Sequence, residues 1–120
     1  MKVLDPKISN LNLNFGKTLK EDQEVSVILN AHITFSKENQ DNYLVTEILD
    51  MFSAEKNKIF SVEVACPLTF ESNDVKDTAQ RNEIIKNDVF PMLYNKIKTV
   101  SDYLLSNATV VLPPLPERFN

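Results

Sequence analysis

The sequence predicts a single α+β domain in which four β-strands precede one long helix and an extended, proline-rich C-terminal segment. Two patterns carry this prediction. Through most of the first 70 residues apolar side chains recur at every second position, which is the period of a strand. Near residue 90 the spacing changes to three and four, the period of an amphipathic helix. A chain of 120 residues is long enough for one domain with a core of its own.

The first three strand segments differ in how cleanly they alternate. Residues 10–15 (NLNLNF) and 25–35 (VSVILNAHITF) have one apolar and one polar face, whereas residues 43–52 (YLVTEILDMF) are apolar on both. The two apolar faces of the third segment hold Leu44, Ile48 and Phe52, and Val45, Leu49 and Met51. A strand that is apolar on both faces is buried on both. We therefore expect a second copy of the chain to cover one of them, with a helix over this segment as the alternative interpretation.

The fourth strand covers residues 58–70 (KIFSVEVACPLTF) and alternates again. Pro67 has no backbone N–H to donate, so we expect an edge strand or a bulge at this position. The sole glycine is Gly16, so the turns between strands must be made by Asn, Asp and Lys instead. Residues 71–88 are polar and charged, and they predict a crossover with room for a helical turn.

The helix is predicted from a run of apolar residues on one face: Phe90, Leu93, Ile97, Val100 and Leu104. Asp88 is the expected N-cap. Pro91 then falls in the first turn, where backbone amides have no intrahelical partner and proline is tolerated. Ser106 and Asn107 end the helix. The apolar side chains of residues 109–116 (TVVLPPLP) either pack on this helix or help to wall a groove for an extended peptide.

Composition excludes several classes of function. A formal net charge of -4 disfavours binding to nucleic acid or to an anionic membrane. There is no apolar run of about 18 residues, and the N-terminal residues do not resemble a signal peptide. A cytoplasmic protein is therefore expected. The single cysteine, Cys66, cannot form an internal disulfide or a cysteine-based metal cluster.

The side chains that could support catalysis form no recognisable constellation. His32 is the only histidine, and it lies on the strand face opposite the apolar row, which favours a surface or interface role. Cys66 lies on an apolar face and is expected to be a buried small hydrophobe. The carboxylates of Glu47, Asp50 and Glu63 could cluster, but a solvated sheet face is the favoured interpretation. We expect no enzyme activity, no cofactor and no metal, and an unrecognised small enzyme is the least favoured alternative.

Residues 89–119 (VFPMLYNKIKTVSDYLLSNATVVLPPLPERF) resemble the SecB family of export chaperones, in which a Phe-Pro-led helix precedes an apolar L-x-P-x-x-F-like segment. Residues 7–15, 24–53 and 58–72 resemble the strands of the same family in the same order. The resemblance implies a four-stranded antiparallel sheet with one long helix packed on one face. It also implies a divergent member, because the second C-terminal helix of the family does not follow here.

The function that the resemblance implies is an ATP-independent chaperone. SecB proteins are homo-oligomers, assembled as dimers of dimers. They hold unfolded preproteins in hydrophobic grooves and pass them to the translocase motor. The residues expected to bind clients here are Leu44, Ile48, Phe52, Phe90, Tyr94, Leu112, Leu115 and Phe119. The positions expected to contact the motor are Asn10, Asn14 and Glu63, where the first two replace the acidic residues of the family.

One alternative uses the same fold for a different purpose. SecB-like proteins also assist antitoxins, so this chain could be an interaction module with one dedicated partner, of antitoxin type or phage-encoded. Such a module would have no general holding activity.

Overall fold

The computed structural model of the protein describes residues 1–14, 24–106 and 115–116. Its strands are β1 (Lys2–Val3), β2 (Lys7–Leu13), β3 (Ser26–Phe35), β4 (Asn42–Phe52) and β5 (Lys58–Thr69). They are followed by α1 (Thr78–Ile84), a π-helical turn (Ile85–Val89) and α2 (Phe90–Ser106). This architecture confirms the predicted α+β class.

The described strands form one antiparallel sheet in which β1 and β2 both pair with β5, and β4 and β3 follow in that order. The four long strands are those expected from the sequence. The two-residue strand β1 was not foreseen, because a segment this short has no period to detect. Among the described helices, none is long and apolar enough to span a membrane.

The core lies between the sheet and α2, which packs on the two middle strands, β4 and β5. Alternation decides which side chains enter it, because successive residues of a strand point to opposite faces. From β4 the buried apolar residues are Tyr43, Val45, Leu49 and Met51, and from β5 they are Ile59, Phe60, Val62, Val64, Cys66 and Leu68. The prediction that Cys66 is a buried small hydrophobe is confirmed, and its Sγ atom lies 3.1 Å from the carbonyl oxygen of Leu4.

The helix begins earlier than the sequence predicts. Asp77 is the N-cap, and its carboxylate accepts a hydrogen bond from the Gln80 amide at 3.2 Å. The prediction that Asp88 caps the helix and that Pro91 lies in its first turn is therefore wrong. Pro91 lies inside a continuous helical segment, directly after the π-helical turn. Proline removes one i→i−4 hydrogen bond and its ring crowds the carbonyl four residues back. The wider π-helical turn, in which the Phe90 amide donates to the Ile85 carbonyl, accommodates this strain.

The buried face of α2 is rotated slightly from the predicted one. Leu93 and Ile97 are buried as expected, together with Tyr94, Ser101 and Leu105, which were not. Phe90, Val100 and Leu104 lie at the margin of the contact and are partly exposed. The predicted end of the helix at Ser106 is confirmed.

Pro67 lies in a central strand rather than in an edge strand. Its carbonyl oxygen accepts a hydrogen bond from the Leu4 amide at 3.0 Å, in the break between β1 and β2. The N–H and the C=O of a strand residue point to the same side, so the donor that proline lacks faces this break. The ladder with β4 continues past Pro67 on the other side, where Leu44 is its partner in register.

Candidate functional site

The single helix is narrower than the sheet beneath it. Ile8, Leu11 and Leu13 of β2 pair with Val64, Val62 and Phe60 of β5 and therefore lie on the helix side. The three β5 residues are fully buried. In contrast, Leu11 is 40% exposed, and Ile8 and Leu13 are exposed to a similar extent. Apolar surface that would normally be covered is thus open to solvent along this side of α2. We call Ile8, Leu11 and Leu13 the β2 flank.

A groove runs between the start of β2 and the helix. It has a volume of about 650 Å³ and is lined by Asp5, Pro6, Lys7, Ile8, Met92, Asn95, Lys96 and Thr99. Ile8 and Met92 supply exposed apolar surface on its two walls. Its exposed lysine and asparagine side chains are polar. Apolar walls with polar side chains beside them suit an extended peptide, because the apolar surface buries side chains and the polar groups satisfy the backbone.

A row of aromatic side chains lies at the other side of the helix from the β2 flank. Phe35 of β3 is 52% exposed, and the centre of its ring lies 6.0 Å from that of Tyr43. The rings of Tyr43 and Phe70 pack edge-on, with their centres 5.3 Å apart. The guanidinium carbon of Arg81 lies 4.5 Å from the centre of the Phe70 ring. A pocket of about 460 Å³ opens beside this row. Its lining residues are Phe35, Gln40, Asp41, Tyr43, Glu71, Ser72, Lys76, Thr78 and Arg81.

Arg81 holds this corner together. Its Nε atom donates to the Val75 carbonyl at 2.6 Å, and one terminal nitrogen lies 3.0 Å from the Asp41 carboxylate and 3.4 Å from the Gln40 carbonyl. The side chain is buried. The α1 segment is thereby tied to the loop between β3 and β4. The sequence pattern does not predict this role of Arg81, because two of its partners, Gln40 and Asp41, lie about 40 residues away in the chain.

The sheet face away from the helix carries a second apolar patch. Leu44, Ile48 and Phe52 point to this face, whereas Val45, Leu49 and Met51 lie beneath the helix. The predicted two-faced pattern of this strand is confirmed, and the alternative of a helix over it is wrong. Ile28, on the neighbouring strand, and Leu44 are the most exposed residues of the patch. Its cover by a second copy of the chain remains a prediction.

The residues predicted to bind clients are not all brought together. Leu44, Ile48 and Phe52 are separated by the sheet from Phe90 and Tyr94, which lie on the helix. Tyr94 is buried, and its hydroxyl donates to the Pro116 carbonyl at 2.5 Å. Leu115 is buried as well, so at residues 115–116 the C-terminal segment packs on its own helix. Leu112 and Phe119 lie outside the described residues.

The residues predicted to contact the motor lie at one edge of the open face. Asn10 and Glu63 are partners in register between β2 and β5. The carboxylate of Glu63 accepts a hydrogen bond from the Ser9 hydroxyl at 2.7 Å. Asn14 follows the end of β2, and its amide donates to the Ile59 carbonyl. The structure thus places Asn10 next to Glu63, in a polar part of the sheet surface.

Glu47 differs from the other two strand carboxylates. Asp50 lies on the open face, where it accepts a hydrogen bond from Ser61 at 2.6 Å. Glu47 instead lies on the helix side and is 1% exposed, so the expected solvated sheet face is wrong for this residue. Neither of its carboxylate oxygens has a hydrogen-bond partner within the described ranges. Burial raises the pKa of Glu47 to about 7. The sequence signal that places it there is its position in the buried row between Val45 and Leu49.

His32 and Cys66 are the other side chains that the sequence offered as candidates for chemistry. His32 is exposed on the open face of β3, as predicted. Within residues 1–14, 24–106 and 115–116, no three His, Cys, Asp or Glu side chains are grouped so that they could hold a metal ion. Burial, together with the nearby charge of Asp5, raises the pKa of the Cys66 thiol, which opposes its use as a nucleophile.

A comparison of folds defines the class of structure. The sequence matches no protein-family model and no curated protein. The structure is similar to that of the SecB-like chaperone Rv1957 of Mycobacterium tuberculosis, solved in complex with a ChAD peptide from the HigA1 antitoxin. The TM-score is 0.72 over 95% of this chain and 83% of that one, at 10% sequence identity. The chain therefore has a SecB-like fold, as the resemblance in sequence predicts.

Proposed function

We propose that the protein is an ATP-independent chaperone that holds unfolded or extended polypeptides on the apolar surface beside α2. The observation that supports this most directly is the β2 flank. Three large aliphatic residues lie on the covered side of the sheet and still expose about two-fifths of their surface. Monomeric proteins rarely leave contiguous apolar surface open without a binding purpose.

The energetics suit a binder with low sequence specificity. Burying apolar surface contributes roughly 25 cal/mol per Å². Ordering an extended client offsets much of this gain. Several weak apolar contacts along the β2 flank and its groove can therefore retain a client without requiring one sequence. The patch around Leu44, Ile48 and Phe52 offers a second surface of the same kind on the open face.

A second candidate function is recognition of one dedicated partner. The similar mycobacterial protein was solved with a peptide of an antitoxin, which supports binding of one defined peptide by this fold. The same groove beside α2 would then hold one peptide of defined sequence. Partner capture from cell extract separates the two functions, because a general chaperone retains many unfolded proteins and a dedicated module retains one at a fixed ratio.

Self-association and a role in export complete the proposal. A homo-oligomer would cover part of the exposed apolar surface, and a cytoplasmic location would give it access to chains before export. Docking on a translocase motor would use the polar area that contains Asn10 and Glu63. Of the acidic residues that SecB proteins carry in this area, only Glu63 has a counterpart here. The position of this area in the fold therefore supports motor binding more than its charge does.

The test is suppression of aggregation. A slow-folding client is diluted from denaturant with a stoichiometric amount of the protein, without nucleotide, and light scattering is followed. We expect scattering to fall in proportion to the protein added. General holding would be ruled out if scattering rose as fast with the protein as with the client alone. If a single partner were then captured from extract, the dedicated module would be the function supported.

A further inference from the structure

The interface between α2 and the sheet contains two polar groups that nothing in the described structure satisfies. Both carboxylate oxygens of Glu47 and the hydroxyl oxygen of Ser101 are buried and have no hydrogen-bond partner among the described residues. Glu47 lies in the middle of β4, on the side where α2 packs, and Ser101 lies on the buried face of α2. A contact that buries unpaired polar groups is weaker than its apolar area alone indicates.

The neighbours of Glu47 within the sheet are apolar. Its partners in register are Ala31 of β3 and Val64 of β5. Its neighbours on the same face of β4 are Val45 and Leu49. A carboxylate in such surroundings is tolerated when it is protonated and strongly disfavoured when it is charged.

We propose that the protonation state of Glu47 controls how firmly α2 lies on the sheet. When the carboxyl is neutral, α2 stays closed over β4. When it is ionised, the charge favours a state in which α2 has moved away from β4 and water reaches Glu47. The movement exposes the apolar residues of both layers, so α2 acts as a proton-sensitive cover over the middle of the sheet.

Among the described residues, few other titratable groups belong to this layer. They are Tyr43 of β4, Cys66 of β5, and Tyr94 and Lys98 of α2. From the α1 side comes Arg81, which is paired with Asp41. The ammonium group of Lys98 lies 2.7 Å from the Asp102 carboxylate on the same helix. Burial raises the pKa of Cys66, so its thiol stays neutral as the pH passes through 7.

The direction of the pH effect follows from linkage. In the closed state the pKa of Glu47 is about 7, and in an open, hydrated state it returns towards the ordinary 4.5. The closed state therefore binds the proton more tightly. Opening is favoured roughly tenfold per pH unit as the pH rises from about 5 to about 7, and it levels off above the higher pKa. Above the higher pKa, Glu47 is unprotonated in both states, so a further rise in pH no longer changes the opening equilibrium.

Hydrogen exchange of the α2 amides tests the proposal. Protection is measured by mass spectrometry at pH 5, 6, 7 and 8 and corrected for the intrinsic exchange rate at each pH. We expect the wild-type opening constant of α2 to rise up to pH 7 and then level off, while the amides of β5 keep their protection. We expect Glu47→Gln to show no such rise. The control is Glu38→Gln, which removes a carboxylate in an exposed loop and should respond like the wild type.

Three results would overturn the proposal: a flat wild-type profile, the same rise in Glu47→Gln, or equal loss of protection in β5. Should Glu47→Gln fail to fold, the wild-type side chain is followed directly by carbon NMR. A titration midpoint near 7 supports the proposal, and a midpoint below 5 overturns it. Any gain in client binding at higher pH rests on the proposed function. If client binding did not increase while hydrogen exchange still showed the expected rise with pH, this would count against the proposed function and not against the role of Glu47.

Discussion

The hydroxyl of Tyr94 donates a hydrogen bond to the carbonyl oxygen of Pro116 at 2.5 Å. This contact joins the N-terminal part of α2 to the end of the proline-rich segment, and Leu115, next in sequence, is buried. Of the two roles considered for that segment, packing on its own helix is the one observed at residues 115–116. Both Tyr94 and Leu115 contribute to the core in this arrangement, and their proposed contact with clients would require the segment to move.

Removal of the Tyr94 hydroxyl tests how much this contact contributes. We expect Tyr94→Phe to lower the free energy of unfolding by about 1 kcal/mol, because a partly buried hydrogen bond is lost while the ring stays packed. Urea denaturation measures the change. The matched control is Tyr103→Phe, at a position that is 70% exposed, where a smaller loss is expected. Equal losses at the two positions would contradict a specific role of the Tyr94 contact.

Arg81 should be among the most sensitive polar residues. Arg81→Met removes the donor to the Val75 carbonyl, the ion pair with Asp41 and the contact with the Phe70 ring. We expect a loss of about 2 kcal/mol in urea denaturation. Arg81→Lys should recover only part of it, because an ammonium group cannot reproduce the planar, forked contacts. Lys86→Met, at an exposed position, should change stability by less than about 0.5 kcal/mol.

The turn between β4 and β5 carries strain at one residue. Lys56 has φ 66°, in the left-handed region, and is the only non-glycine residue with positive φ in the described part of the chain. Side-chain crowding in this region costs roughly 1–2 kcal/mol, which glycine avoids. We expect Lys56→Gly to raise the thermal midpoint and to add about 1 kcal/mol of stability. Lys37→Gly, in the loop before β4, lacks this strain and should be neutral or destabilising.

Global stability should depend on pH through Glu47. Its pKa is about 7 in the folded protein and near 4.5 when unfolded, so the folded state binds the proton more tightly. The free energy of unfolding should therefore fall as the pH rises from about 4.5 to about 7, by about 3 kcal/mol in total. We expect Glu47→Gln to be more stable than the wild type at pH 8 and close to it at pH 5. Urea denaturation at both values measures this, and an equal difference at both would show that ionisation of Glu47 is not its cause.

The location of the client surface can be decided by paired charge insertions. Leu11→Asp places a charge in the β2 flank, and Asn12→Asp places the same charge one residue away on the opposite face. We expect the first to reduce suppression of aggregation several-fold and the second to have little effect. Leu44→Asp, on the open face, tests the second patch. If Leu11→Asp binds clients like the wild type and Leu44→Asp does not, the open face is the site.

The order of elements was predictable because periodicity depends only on local geometry. A strand alternates faces with every residue, so the row through Val45, Leu49 and Met51 was separable from that through Leu44, Ile48 and Phe52. The start of the helix was not predictable in the same way. Pro91 indicated a first turn, but the helix continues through it from Thr78, with a π-helical turn five residues long directly before Phe90. The role of Arg81 was not predictable either, because Gln40 and Asp41 become its neighbours only in the folded chain.

The sequence by itself determined that there would be a sheet with two chemically different faces and an amphipathic helix to cover one of them. Only the tertiary structure decided which strands the helix covers. One helix about 10 Å wide cannot span four strands spaced about 5 Å apart, so it packs on β4 and β5 and leaves the β2 flank exposed. The placement of Glu47 beneath that helix follows from the same packing, because strand alternation assigns a face but does not say what lies against it.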